Sequence, residues 1–186
     1  MKKLHSSDKA FKFRFELFNM IDEYLKTLNS LNAELPDGYH EVLEQAEPVR
    51  QALLNHPVNL APCHCDPLAE NFLDDGKKMW MVDWEYSGMN DPMWDLGDLS
   101  EEAGFNDAQD EEMLLAYCDG RVIANERGRV VIYKAMSSLL WTLWGLIQHA
   151  NNNPVDDFWA YGLVKFESCK ALMAREDFNR HVEAIE

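Results

Sequence analysis

The chain is poor in basic residues, in paired cysteines and in long apolar runs. Its 17 lysines and arginines stand against 33 aspartates and glutamates, a formal net charge of −16 over 186 residues. Such a charge repels a phosphate backbone, so the composition argues against a nucleic-acid partner. There is no internal repeat or low-complexity tract, and 47% of the residues are hydrophobic. We therefore expect a single domain over residues 1–186.

The cysteines and the N-terminus bear on the compartment. The four cysteines show no disulfide framework and no metal-site spacing: Cys63, Cys65, Cys118 and Cys169. Polar residues follow Met1-Lys2-Lys3, where a signal peptide would need an apolar segment. No uninterrupted apolar run approaches the length of a membrane span. These absences predict a cytoplasmic protein with reduced thiols and no membrane partner.

The strongest positive signal is an HxDxxxxN run from His64 through Asp66 to Asn71, with Asp83 twelve residues beyond Asn71. Two apolar runs around an Asp-Gly turn separate Asn71 from Asp83, a pattern typical of a β-hairpin. Because a hairpin returns the chain to its start, both residues are expected at one end, next to Asp66. Phosphoryl transfer needs a carboxylate to receive a hydroxyl proton, and an Asn and a second Asp to hold magnesium. The alternative is a hairpin flanked by carboxylates that cap helices.

Residues 62–72 and 82–100 together carry a family resemblance. The chain resembles the choline/ethanolamine kinases, within the wider group of aminoglycoside-phosphotransferase-like and protein-kinase-like enzymes, and looks closest to the bacterial choline kinases. The resemblance implies ATP as co-substrate and Mg²⁺ as cofactor. It also implies Asp66 as the catalytic base, Asn71 and Asp83 as magnesium ligands, and His64 and Asp95 as structural supports. Cys65 departs from the Asn, Gly or Arg more familiar at its position.

Aromatic residues in the second half of the chain point to the substrate. Trp141 and Trp144 lie three residues apart, on one face of a predicted helix. Aromatic faces attract a quaternary ammonium, which has no N–H to donate. By the resemblance, the residues lining a choline pocket would be Glu102, Trp141, Trp144, Phe158 and Tyr161. Whether Glu101 or Glu102 faces the pocket stays open, and aromatic residues at helical spacing are also typical of a core.

The periodicity of apolar residues predicts a mainly helical protein. A long amphipathic helix is expected from about residue 8 to residue 28, and further helices over 39–55, from Asp91, and from Asp110 onward, with turns near Gly128 and at 151–154. The fold class is α+β, mainly helical. By the resemblance it is the C-terminal lobe of the protein-kinase-like fold, with a small β-hairpin that carries the metal ligands. The sequence has no GxGxxG loop and no VAIK-like strand, so we expect the smaller, nucleotide-covering lobe to be absent from these 186 residues.

Three functions are open from the sequence. The first is transfer of the ATP γ-phosphate to the hydroxyl of choline or a related amino alcohol. The second is another small-molecule kinase of the same superfamily, such as one for aminoglycosides. The third is a non-catalytic module that binds a quaternary ammonium. The preferred amino alcohol and the oligomeric state are left open, as is the place of Glu85 and Asp98, either near the metal or on the surface.

Overall fold

The computed structural model describes residues 1–186 as a mainly helical body with two small sheets. The helices are α1 (Lys2–His5), α2 (Leu17–Ser30), α3 (Tyr39–Gln45), α4 (Glu47–Asn55), α5 (Pro92–Glu102), α6 (Asp107–Tyr117), α7 (Ala124–Ala150), α8 (Phe158–Met173) and α9 (Phe178–Glu183). The strands are β1 (Ala61–Cys63), β2 (Phe72–Asp74), β3 (Met79–Met81) and β4 (Gly88–Asn90). The predicted fold class, α+β with helices dominant, is confirmed.

Helix α7 is the central element, and it packs against α2, α5, α8 and α9. By length and composition alone it is apolar enough to cross a membrane, but 78% of its most apolar stretch is buried inside the protein. The turn predicted near Gly128 is wrong, because Gly128 lies inside α7. A Cβ on Gly128 would lie 2.6 Å from the His181 carbonyl oxygen, so this glycine permits the close approach of α9. The chain turns earlier, at Asp119 and Gly120, which both have positive φ.

The long first helix predicted from the sequence is wrong in its N-terminal half. Helix α1 ends at His5 and α2 begins only at Leu17. In between, residues near Phe13 run extended beside β4: the Met89 N–H donates to the Phe13 carbonyl at 2.9 Å, and the Phe15 N–H donates to the Met89 carbonyl at 3.1 Å. The backbone polar groups of this segment are therefore hydrogen-bonded to a strand that is distant in sequence. Local periodicity of apolar residues does not reveal such a partner.

Several local predictions are confirmed. The helical region over 39–55 is divided between α3 and α4, with Pro48 in the first turn of α4. Strands β2 and β3 form the antiparallel hairpin, paired from Phe72 with Met81 to Asp74 with Met79. Helix α5 begins at Pro92, where the Asp91 side chain accepts a hydrogen bond from the Met93 N–H at 2.9 Å.

The second sheet positions the candidate site. Strand β1 pairs with β4 in antiparallel fashion, from Ala61 with Asn90 to Cys63 with Gly88. Because the pairing is antiparallel, the loop that follows β1 and the helix that follows β4 leave these three-residue strands at opposite ends. The first turn of α5 nevertheless reaches the loop, since Asp95 accepts hydrogen bonds from its backbone. Residues 64–71, which we call the Asp66 loop, lie against the N-terminal half of α5.

Candidate active site

The Asp66 loop is held from behind by Asp95 of α5. Asp95 has no exposed surface, and its carboxylate accepts hydrogen bonds from the backbone N–H of His64 and of Cys65, both at 2.8 Å. The His5 Nε2 atom of α1 lies 2.9 Å from the same carboxylate. Cys65 has a φ of 69°, a left-handed conformation that is rare outside glycine. Three donors on one buried carboxylate hold the loop in this conformation.

His64 links the Asp66 loop to the end of the hairpin. Its Nε2 donates to the Val82 carbonyl at 2.8 Å, and its ring lies 4.8 Å from the ring of Trp84. The imidazole is fully buried. The structure thus places His64 and Asp95, which the resemblance implies as supports, in contact with the loop rather than in the cavity described below.

The hairpin brings Asn71 and Asp83 to the same end, as predicted. The Val82 N–H donates to the Asn71 carbonyl at 3.0 Å, one residue before Asp83. The Asn71 Nδ2 donates to the Asp66 carbonyl at 3.0 Å, which leaves its Oδ1 as the free acceptor. Carboxylate and amide oxygens are ligands that Mg²⁺ accepts, so these residues fit the metal that the motif implies.

A cavity of about 370 Å³, which we call the central cavity, lies between the Asp66 loop, the segment after β3, and helices α5, α7 and α8. Its lining residues are Asp66, Leu68, Asp83, Glu85, Tyr86, Glu102, Trp141, Trp144, Val155, Asp156, Phe158 and Tyr161. Every residue that the sequence assigned to catalysis or substrate binding is in this set. Of the two expected metal ligands, Asp83 lines the cavity, whereas Asn71 is not among its lining residues and bonds the Asp66 backbone.

Five rings form one side of the central cavity, and we call them the aromatic wall: Tyr86, Trp141, Trp144, Phe158 and Tyr161. Trp144 makes edge-to-face contacts with Trp141, Phe158 and Tyr161, at centroid distances of 6.4, 5.5 and 5.8 Å. Tyr86 meets Trp141 at 5.3 Å in the same geometry. Trp144 and Tyr161 line the cavity and are only partly buried, so part of each side chain stays uncovered.

The question between Glu101 and Glu102 is resolved by the geometry, since Glu102 lines the central cavity and Glu101 does not. The Lys165 ammonium bonds both carboxylates, at 2.5 Å to Glu101 and 2.6 Å to Glu102. Burial raises the pKa of Glu102, and the charge of Lys165 opposes that shift. The sequence reasoning missed Lys165, although its position one helical turn after Tyr161 is a detectable signal.

The central cavity is strongly acidic. Burial, followed by the nearby carboxylates of Glu102, Asp83 and Glu85, raises the pKa of Asp66 to about 7. Other residues near the site were also not assigned from the sequence, among them His5, Tyr86 and Asp156. Tyr86 stands three residues after Asp83 and Asp156 two residues before Phe158, so proximity to assigned residues was the available signal.

A larger cleft of about 500 Å³ lies between α6, α7 and α9. Two of its three arginines are already paired with carboxylates, Arg127 with Glu111 and Arg175 with Asp107, at 2.8 to 3.0 Å. None of the residues from the sequence motif lies there.

One protein-family model and several solved structures match this chain. The model of the phosphotransferase enzyme family matches residues 1–130. A crystal structure of a choline/ethanolamine kinase family protein from Mesorhizobium loti is 64% identical, with a TM-score of 0.93, over 99% of this chain and 63% of that chain. Choline kinase LicA from Streptococcus pneumoniae is 27% identical, with a TM-score of 0.77, over 93% of this chain and 60% of that chain.

Among curated proteins, Protein LicA of Haemophilus influenzae is 28% identical over 184 residues, covering 92% of this chain and 65% of the relative. The chain therefore spans less than two thirds of the length of these relatives. The structural matches confirm that the fold is the C-terminal lobe of the kinase-like fold. The resemblance found from residues 62–72 and 82–100 is confirmed as well.

Proposed function

Because this chain belongs to the phosphotransferase enzyme family, we propose that it is the catalytic and substrate-binding lobe of a cytoplasmic kinase that phosphorylates choline or a related amino alcohol with ATP. One observation carries the proposal. The central cavity has the Asp66 and Asp83 carboxylates beside the aromatic wall and Glu102. A small molecule with a cationic end and a hydroxyl end matches both parts of that lining.

Asp66 acts as the base that accepts the proton of the substrate hydroxyl. Its carboxylate lines the central cavity, and the loop that carries it is fixed through Asp95. A general base works best when its pKa lies near the operating pH. The pKa of about 7 for Asp66 meets that condition.

Asn71 and Asp83 would hold the magnesium ion. The ion would supply positive charge that offsets the negative charge of the nucleotide phosphates. The hairpin serves this role by placing an amide at its entry and a carboxylate at its exit, side by side. The hydrogen bond from Asn71 to the Asp66 carbonyl connects them to the base.

The aromatic wall and Glu102 bind the cationic end of the substrate. Cation–π attraction contributes on the order of 0.5 to 2 kcal/mol for each ring face. The volume of about 370 Å³ lies at the small end of the roughly 300 to 1,000 Å³ seen for ligand pockets. A choline-sized molecule fits this space better than a multi-ring aminoglycoside. The volume therefore favours a kinase of choline or a related amino alcohol over an aminoglycoside kinase.

One specific observation favours the third candidate function, a non-catalytic module that binds a quaternary ammonium. The aromatic wall and Glu102 are all contained in these 186 residues, whereas the GxGxxG loop and strand lysine of the family's smaller lobe are not. A quaternary ammonium would therefore bind this chain without any nucleotide.

The test is to measure phosphorylation by a two-lobe protein, made by joining this chain to the part of the Mesorhizobium loti relative that it does not match. We expect ATP-dependent phosphorylation of choline or ethanolamine that is lost in D66N. Phosphorylation of aminoglycosides alone would support the second candidate function, an aminoglycoside kinase. Choline binding with no turnover in the joined protein would support the non-catalytic module.

A further inference from the structure

Asp98 is a buried carboxylate with an incomplete set of partners. It lies on α5, one turn before Glu102, and it has no exposed surface. Its Oδ1 accepts a hydrogen bond from the Trp141 indole Nε1 at 2.7 Å, while its Oδ2 has no hydrogen-bond partner. Buried carboxylates are normally paired with a cation or with several donors, because removing the charge from water is costly. Asp98 therefore needs an explanation.

No cation of the protein balances Asp98. The charged groups that face it are carboxylates: Glu102 and Asp95 on its own helix, and Asp66 on the loop. From α8 it faces Tyr161, and the Lys165 ammonium is bonded to Glu101 and Glu102 instead. Burial and the nearby Glu102 raise the pKa of Asp98 well above its ordinary value, and the indole hydrogen bond opposes that shift.

Trp141 connects Asp98 to the central cavity. The indole is part of the aromatic wall, and its N–H points at the Asp98 carboxylate. An ionised acceptor on the indole N–H increases the electron density of the ring, so it strengthens attraction for a cation on the ring face. A cation in the cavity in turn favours the ionised form of Asp98, which is the balancing charge that the protein lacks.

We propose that Asp98 is a positioning residue for the cationic end of the substrate: it fixes the Trp141 indole and gives up a proton to solvent when a quaternary ammonium enters the central cavity. This inference rests on the proposed function and concerns the same site. The sign follows from linkage: a cation that prefers ionised Asp98 binds more tightly as pH rises, until Asp98 is ionised in the free protein.

The experiment is a calorimetric titration of the 186-residue chain with choline and with 3,3-dimethyl-1-butanol, in which carbon replaces the charged nitrogen. Heats in two buffers of different ionisation enthalpy, at several pH values, give the protons released. We expect release with choline and none with the neutral alcohol. In D98N, which keeps an acceptor for the indole, the release should fall, and choline affinity near pH 8 should drop about 3- to 10-fold.

The chain contains a matched control. The exposed Asp75 accepts a hydrogen bond from the Trp80 indole at 2.8 Å, outside the cavity, so D75N should leave choline binding unchanged. If D98N does not fold, W141F serves in its place, since loss of the indole donor keeps Asp98 protonated and should abolish its share of the release. Equal proton release in wild type and in the folded variant, or an equal affinity loss for both ligands, would overturn the inference alone. No choline binding by any variant would overturn the proposed function as well.

Discussion

Replacing Trp144 by leucine tests whether the aromatic wall recognises a cation or merely forms core. The substitution keeps an apolar side chain at the centre of the wall but removes the ring face. Loss of one cation–π contact of about 1 to 2 kcal/mol should weaken choline binding about 5- to 30-fold. W144F, which keeps a ring, should recover much of that loss.

The structure also sets the cost in stability. Trp144 makes three edge-to-face contacts, each worth about 0.5 to 1.5 kcal/mol, and leucine replaces part of their packing. We expect W144L to lose about 1 to 3 kcal/mol, a decrease in Tm of roughly 3 to 10 °C for a chain of this size. Calorimetry with choline and a thermal melt should be run on the same protein.

Trp159 provides the matched control for this prediction. It lies on the same helix as Tyr161, is also partly buried, and packs against His149 at 5.5 Å, but it does not line the central cavity. W159L should therefore lower Tm without weakening choline binding. If W144L lowered Tm as W159L does and bound choline with wild-type affinity, the wall would be core and the reasoning refuted.

Three further predictions concern catalysis and packing. In a two-lobe protein that contains this segment, D66A should lower turnover by orders of magnitude with little effect on choline affinity, whereas D83A should also weaken magnesium-dependent nucleotide binding; near-normal turnover of D66A would contradict the role of base. The 186-residue chain alone should show negligible kinase activity in a phosphate-transfer assay, because the smaller lobe positions the phosphates and positioning supplies much of the catalysis. Robust turnover would show that the smaller lobe is dispensable. A Cβ at Gly97 would lie 2.7 Å from the Tyr133 Cβ, so G97A should push α5 away from α7. We expect the free energy of unfolding from a denaturant titration to fall by about 1 to 3 kcal/mol. An unchanged midpoint would mean that the two helices have room to adjust.

The hairpin and the Asp66 loop could be predicted because their signals are local. The Asp75-Gly76 pair specifies the turn, where Gly76 takes a φ of 80°, and the strands on either side form the expected hairpin. Once the hairpin is predicted, the proximity of Asn71 and Asp83 follows from chain geometry. The start of α5 is equally local, since Asp91 and Pro92 are typical of a helix N-terminus.

The rest of the site depends on contacts between distant segments. The helical period before Leu17 was real in the sequence, but pairing of Phe13 and Phe15 with β4 provided the competing hydrogen bonds. The pairing of Lys165 with Glu101 and Glu102 joins residues more than sixty positions apart. Such partners are decided by the packing of α5, α7 and α8, which a single sequence does not specify.

The residues carried by helix α5 affect whether mutations can change amine selectivity without changing turnover. Asp95 holds the Asp66 loop, Glu102 lines the central cavity, and Asp98 bonds the Trp141 indole of the aromatic wall. These residues lie at intervals of three and four, so one helix supports both the loop and the wall. A mutation that shifts or rotates α5 should therefore impair turnover and amine selectivity together. In the segment 155–161, four residues line the cavity with no hydrogen bond to the Asp66 loop: Val155, Asp156, Phe158 and Tyr161. We therefore expect substrate preference to change most readily through residues 155–161. A library of variants over 155–161 should change the amine accepted while turnover persists. A library over α5 should not change the amine without also lowering turnover.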